Sequence, residues 1–569
     1  MSAGSPEVDP RRRIDELADR MFEERLAAEV VYAAQLGYGE HLAELPDLSP
    51  EGKDARRAQL TERRAQAEVV DPLALDEERR ITRHMLTRYA DDTLLAIEAA
   101  AEEYTVTPIP QTGLAASVII SLPKALLREP DDAEAYLERC TKLPRWLDEA
   151  AGLLDRGAVA GRRPVLRLVD NAIAQLDDYL ASPITDDPLL AVAEPAAGAP
   201  PGWRDRLTGE IRDRVRPAMA AYRSRLATAV RPTARDDDKV GLAHLPGGHE
   251  LYEKLAALHT TTDLSVEEIH QKGLELVAQL TEEMRTLGGH ALGTTDFADI
   301  KRRLRTDDEL FFHSPEEVVR AARDSLQRAE RELPNWLALL PKAECVVIPM
   351  SPFEVENGDL GHYQWPGKDG SRPGTYWINT SKPHTRPRFE SQALAFHESV
   401  PGHHTQVAVA HELAGQCDFR RHAHVTAFVE GWALYVERLA DEMGLYTADL
   451  YRIGTVSFDF WRACRLVVDT GMHAMGWDRA RAVEYMLDNS ALTRKNVENE
   501  IDRYIGWPGQ ALGYMLGRLE IRNLRTEAEQ RLGSRFDLRD FHGELIGHGS
   551  LPLSVLGEVI GRWAERRAA

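Results

Sequence analysis

The chain has 569 residues, with 70 Lys and Arg against 92 Asp and Glu, a formal net charge of −22. So acidic a protein repels phosphate backbones, and no basic stripe as long as a recognition surface interrupts it, which excludes nucleic acid as a partner. Hydrophobic residues at 43% and charged residues at 28% are globular proportions, so the length predicts either two to four domain-sized units or one large enzyme with a continuous helical shell.

The first ten residues carry no apolar core that a translocon could read, and no later stretch approaches the ~20 apolar residues of a membrane span. A soluble, cytoplasmic protein is expected, with no membrane partner. Ile14, Leu17, Met21 and Phe22 fall on one face of a first helix. Residues 191–202, rich in Ala, Pro and Gly, read as a loop or linker after an N-terminal helical region over 1–190. Ser265-Val-Glu-Glu268 is a capping box opening a helix that carries Ile269, Leu276, Val277, Leu280, Met284 and Leu287, with a stop expected at Gly288-Gly289. Ser314-Pro315-Glu316-Glu317 opens another, with Pro334 at its far end. Cys140, Cys345, Cys417 and Cys464 form no close pair and read as free thiols, neither a disulfide framework nor a cysteine zinc site.

Strand signals are confined to about 343–380. Glu344-Cys-Val-Val-Ile-Pro349 and Gly374-Thr-Tyr-Trp-Ile-Asn-Thr380 are β-formers bounded by Pro or loop residues, and predict one small sheet. Six of the 19 histidines then fall within 28 residues: His397, His403, His404, His411, His422 and His424. The sharpest motif is His397-Glu398-Ser-Val-Pro-Gly-His403-His404. In His-Glu-x-x-His, the two histidines are four apart and lie ~40° from each other on one helix face. Here that position is Pro401. On a regular helix His403 would point ~120° away from His397, and His404 would share its face but lie about 10 Å along the axis. Pro401 lacks the N–H that would bond His397, and Gly402 tolerates backbone that other residues resist, so a two-residue bulge at 399–402 is expected to bring His403 into phase. His397 and His403 are the expected pair, with His404 as the fallback.

Two imidazoles and a carboxylate with an open fourth position make the catalytic zinc set. Phe428-Val-Glu430-Gly-Trp-Ala-Leu-Tyr-Val-Glu437 places two glutamates on one face of an apolar helical segment. Such burial is expensive unless the carboxylate is paired or ligated. Glu430, followed by a glycine that lets helices approach, is the expected third ligand of one zinc ion. Glu437 is a supporting partner or an ordinary exposed charge. Glu398 would be the general base. His249-Glu250 and His411-Glu412 have no second histidine four to seven residues on and read as incidental.

Together HESVPGHHTQ at 397–406, FVEGWALYVERL at 428–439 and RYIGWPGQALGYMLG at 503–517 resemble the bacterial family catalogued as domain of unknown function 885, which is grouped with the gluzincin metallopeptidases. The resemblance is strong over about 246–556. It implies a mainly α, large helical fold over 203–569 with a deep cleft, zinc at its floor, and a small sheet near the zinc helix. An exposed edge at Gly374–Thr380 would align an extended peptide, with Tyr376 and Asn379 as substrate contacts. Related zinc peptidases take an oxyanion donor from a later helix, and the candidates are Tyr514 and Tyr504, which flank the Trp507-Pro508-Gly509 turn, then His473. Arg503 could hold a peptide carboxylate. The expected function is a zinc metallopeptidase cleaving short peptides. The competing readings are a metal-dependent amidase acting on a small non-peptide amide and a metal-free helical binding protein.

Overall fold

The computed structural model describes residues 9–350, 360–367 and 372–569, and these are mainly helical. The chain divides into two compact units, one of Met1–Leu251 with Gly476–Ala480 and Ile505–Trp507, the other of Tyr252–Met475 with Arg481–Tyr504 and Pro508–Ala569. The segment 191–202 falls inside the first unit.

In the first unit the helix Pro10–Ala28 buries Ile14, Leu17, Met21 and Phe22, the face predicted from spacing, and Asp9 caps it through the Arg11 N–H. The long helix Pro130–Val159 and the helices Leu166–Ala181 and Arg216–Arg225 enclose a core that includes Tyr136, Leu143, Trp146, Leu176 and Met219. Trp203, fully buried, donates its indole N–H to the Ala133 carbonyl at 2.6 Å. This hydrogen bond satisfies a polar group that burial would otherwise make costly. Val192 is buried and Ala199 packs on the same core, so the Ala/Pro/Gly segment is tethered at both ends.

The second unit holds the chemistry. Its capping box forms as expected: Ser265 Oγ accepts from the Glu268 N–H at 3.2 Å, and Glu268 Oε2 accepts from the Ser265 N–H at 2.8 Å. The helix Val266–Ala291 runs past the glycine pair at which a stop was expected. The left-handed residue that ends it is Gly293, at φ 69°. Gly288 serves packing instead, because a Cβ there would lie 2.3 Å from Ile300 Cδ1. Ser314 caps Pro315–Trp336 through the Glu317 N–H, and Pro334 sits within its last turn. None of the four cysteines is in a disulfide; three are buried and Cys417 is half-buried.

Three strands, β1 (Cys345–Pro349), β2 (Gly361–Gln364) and β3 (Gly374–Ile378), form a sheet in the order β1-β3-β2. β3 runs parallel to β1 and antiparallel to β2, with Tyr376 opposite Val347 on one side and Tyr363 on the other. The strand expected to offer a free edge is therefore central, its ladder groups taken up on both sides, and it cannot pair main chain to main chain with a peptide. Its run of apolar and aromatic residues reads the same for an edge or a middle position. β2 was not expected: Gly361-His-Tyr-Gln364 is short and has no β-branched residue. Among the described residues no helix is long and apolar enough to cross a membrane.

Candidate metal centre

The helix Ser391–Glu398 ends one residue after His397, and a second helix, His403–Glu412, begins at the next histidine of the motif. The connection is not a bulge in one continuous helix but a four-residue interruption, with Ser399 at φ −108°, ψ −119° and Gly402 at φ −75°, ψ −130°. Pro401 has no N–H to continue the ladder. Gly402 lies so close to the preceding turn that a Cβ would stand 1.9 Å from the His397 carbonyl oxygen. The loop carbonyls are satisfied from another element: Trp432 donates its indole N–H to Pro401 O at 3.0 Å and Gly402 O at 3.2 Å. The interruption brings the His397 and His403 rings to 4.7 Å between centroids at 83°.

Trp432 belongs to the helix Thr426–Glu442, which also carries Glu430. This helix crosses Leu512–Leu532 at two glycines. A Cβ on Gly431 would be 2.7 Å from Gly517 Cα, and one on Gly517 would be 1.8 Å from Ala427 O. The close crossing seats Glu430 Oε2 3.5 Å from His397 Nε2 and 3.6 Å from His403 Nε2. One ligand atom from each of the three residues lies within 4.8 Å of the others.

These residues fit a metal ion. Two ligands each ~2.1 Å from one zinc and at a tetrahedral angle are roughly 3.4 Å apart, close to the observed spacings and longer than a good hydrogen bond. Glu430 Oε2 and His403 Nδ1 are buried with no hydrogen-bond partner, which is costly unless a cation faces the carboxylate. Behind His397, Nδ1 donates to Glu437 Oε1 at 2.7 Å, and Glu437 is completely buried, so it is no surface charge. This bond fixes the ring so that Nε2 is directed toward Glu430, and that nitrogen's lone pair becomes available to an ion once its proton is displaced. Arg462 Nη2 stands 3.9 Å from the same Glu437 oxygen.

The protonation pattern without a cation agrees. Burial pushes His403 down to about 3, so it is neutral. His397, although burial opposes its charge, is held up to about 9 by Glu430 and Glu437. Glu430, which burial would raise, is held at about 2 by the imidazoles. An ionised Glu430 thus lies between a neutral and a protonated imidazole, and the proton on His397 stands where a cation would balance that carboxylate.

His404 has both ring nitrogens engaged, Nδ1 with the Tyr363 hydroxyl at 3.0 Å and Nε2 with Ala343 O at 3.0 Å, and is not in the group. Glu398 is 8% exposed. Tyr376 is fully buried, its hydroxyl has no hydrogen-bond partner, and after burial the charge of Glu398 is the main cause of its raised pKa. Asn379 accepts from the Ser381 N–H at 3.0 Å and hydroxyl at 2.8 Å, which makes it a turn-former after β3. Glu412 accepts from the Lys342 N–H at 2.9 Å and the Ala343 N–H at 3.0 Å, a structural task.

The three oxyanion candidates separate. Tyr504 donates to Glu500 Oε2 at 2.5 Å and is 1% exposed. His473 gives its Nε2 proton to Tyr504 O at 3.1 Å and stacks on Tyr252. Tyr514 is half-buried, and its pKa is raised first by burial and then by the charge of Glu430. Arg503 donates to Gln510 Oε1 at 2.8 Å and Glu500 Oε2 at 3.1 Å. His424, read from sequence only as part of a cluster, is exposed, and its charge acts on both His403 and Glu430. Its place in the histidine run was the signal that could have singled it out.

Comparison with known families decides the chain's kinship. A model described as a bacterial protein of unknown function, DUF885, matches residues 31–560. The chain belongs to the DUF885 family. The match extends the region of resemblance read from the motifs through most of the N-terminal half. A Colwellia psychrerythraea protein designated a lipoprotein covers 98% of this DUF885 chain and 100% of its own at 23% identity and TM-score 0.89. A lipoprotein-designated protein of unknown function from Shewanella oneidensis covers 96% and 99% at 19% identity and TM-score 0.74. Both share the fold. A Pyrococcus furiosus carboxypeptidase covers 99% of each chain at 11% identity and TM-score 0.41, too low to show a shared fold. No curated protein matches this DUF885 chain in sequence.

One buried acid of the DUF885 chain gives a pH prediction. Asp469 accepts from the Tyr252 hydroxyl at 2.5 Å and the Gly509 N–H at 3.0 Å, and burial pushes it up to about 7. Its folded pKa lies above the ordinary value of ~3.9, so its contribution to stability is present below that value and lost as pH rises through about 7. Asp469→Asn, which keeps an acceptor for both donors, is expected to flatten the fall of Tm between about pH 4 and 7. An unchanged slope in calorimetric scans would assign that fall to other groups.

Proposed function

We propose that this protein is a zinc-dependent hydrolase of amide bonds in short peptides. The observation that carries the reading is the buried His397–His403–Glu430 group backed by Glu437, because two imidazoles and one carboxylate with an open position are the donor set of catalytic zinc. His397, His403 and Glu430 would hold the ion. Bound zinc supplies Lewis acidity, which makes water a nucleophile near neutral pH and polarises a carbonyl. Glu398 takes the proton of the attacking water and delivers it to the leaving amine. The Tyr514 hydroxyl donates to the oxyanion as it develops, and Glu437 keeps His397 oriented throughout.

The proposed substrate is a short peptide, and the proposed ion is one zinc. The lipoprotein designation of the two neighbours supports the cell envelope as the place of action over the cytoplasm expected from sequence. The decisive assay is a panel of unmodified di- to decapeptides with the zinc-loaded protein. Cleavage that a chelator removes and zinc restores is expected. Inertness toward every peptide, with hydrolysis of a non-peptide amide, would move the substrate class to small amides. Protein purified without chelator that carries no metal would leave only a binding role.

A further inference from the structure

A second polar cluster lies along the same helix pair as the metal group: a Cβ on Gly513 would stand 3.4 Å from the backbone nitrogen of Ala427, on the helix that carries Glu430, and Tyr514, next in the chain, has its ring 4.3 Å from the guanidinium of Arg465. Arg465 is 3% exposed. Its Nε donates to the Tyr504 hydroxyl at 2.8 Å and its Nη2 to Glu500 Oε2 at 3.2 Å, while Nη1 is buried with no partner. Arg503, whose side chain is 22% exposed, donates to the same Glu500 Oε2 at 3.1 Å.

Glu500 Oε2 is oversubscribed. It receives both arginines, the Tyr504 hydroxyl at 2.5 Å and the Trp461 indole at 3.1 Å. Against the tendency of burial, Arg503 and Arg465 hold this carboxyl at about 2, so it is fully ionised. Asp469, the other acid that feels both arginines, is bonded to Tyr252 and Gly509, and burial keeps it partly protonated near neutral pH. Two permanent cations therefore face one permanent anion, and a buried guanidinium nitrogen is left unsatisfied. Such an arrangement costs stability in the protein alone. It is what a site prepared for an incoming anion looks like. The planar fork of arginine matches a carboxylate, and the unpaired Nη1 of Arg465 is a donor such a group could take up.

We propose that Arg503 and Arg465 form a carboxylate subsite beside the metal group, and that the protein acts on peptides with a free C-terminal carboxylate. The second half rests on the hydrolase reading. Arg503, reaching solvent, meets the carboxylate first. Arg465, held between the Trp461 and Tyr514 rings, supplies the second donor.

Two measurements on the zinc-loaded full chain test this. Calorimetric binding of 3-phenylpropionate should be at least about tenfold tighter than that of 3-phenylpropanamide. In Arg503→Gln the preference should fall to within about twofold at unchanged zinc content. Undiminished preference in that variant would send the carboxylate to the metal and overturn the subsite. If Arg503→Gln does not fold, Arg503→Lys, which keeps the charge and loses the fork, should lose about half the preference on a logarithmic scale, and full retention overturns the proposal equally. Hydrolysis of a tripeptide is then compared with that of its C-terminal amide, and the free acid should be cleaved at least about tenfold faster in kcat/KM. A carboxylate preference in binding with no peptide cleaved would keep the subsite and remove the hydrolase reading. Equal cleavage of acid and amide would keep the hydrolase and overturn the carboxylate specificity.

Discussion

Glu398→Gln is expected to bind zinc in full and to lose about 10²–10⁴-fold in kcat/KM on any peptide the wild type cleaves, the usual contribution of a general base. Glu398 is the last residue of the helix that carries His397, is 8% exposed, and does not belong to the group that His397 forms with His403 and Glu430. The amide keeps the size and an acceptor oxygen but takes up no proton, so metal and reaction are separated in one variant. Elemental analysis beside the peptide assay reads both. Loss of zinc would make Glu398 a ligand, and retained activity would assign the proton transfer to another group. Tyr376→Phe, which removes a buried hydroxyl with no hydrogen-bond partner, should leave zinc content unchanged.

Removing a ligand should have the opposite signature. His397→Ala and His403→Ala each leave two protein ligands and are expected to copurify with essentially no zinc, whereas His404→Ala keeps it. The His404 variant loses stability instead: it removes the partner of the half-buried Tyr363 hydroxyl and Ala343 carbonyl, a loss of about 1 kcal/mol for each hydrogen bond. Glu437→Gln lies between, with zinc retained but affinity lowered about 10–100-fold, because the carboxylate that orients His397 is weakened to an amide. Chelator competition ranks the four variants. Zinc lost from His404→Ala and kept by His403→Ala would reverse the ligand assignment.

Much of this centre was legible along the chain because its signals are local. The His-Glu pair, Pro401 where a ligand should stand, Gly402, and a glutamate followed by glycine in an apolar helix are all properties of neighbouring residues. Helix starts were legible for the same reason, since a Ser N-cap and a Glu three residues on bond within one turn. Stops were less so. Gly288 looks like a terminator, yet it is placed by the Ile300 side chain that packs on it.

The shape of the break between His397 and His403 was not local. A bulge and a full interruption both follow from Pro-Gly, and Trp432, on a helix some thirty residues later, stabilises the interruption by bonding its two carbonyls. The order of the sheet was equally hidden. β3 has the composition of either an edge or a middle strand, and pairing with the short β2 settled it.

The sequence by itself determined the helical class, the small sheet's position and the residue types able to hold a metal, because periodicity, capping and donor chemistry are carried by residues close in the chain. Only the tertiary structure decided which donors converge. Glu430 rather than Glu437 stands beside both imidazoles, and two arginines share one glutamate. The placement of Glu430 depends on how helices distant in sequence cross, as at Gly431 and Gly517, where the absence of two side chains sets the depth at which it stands.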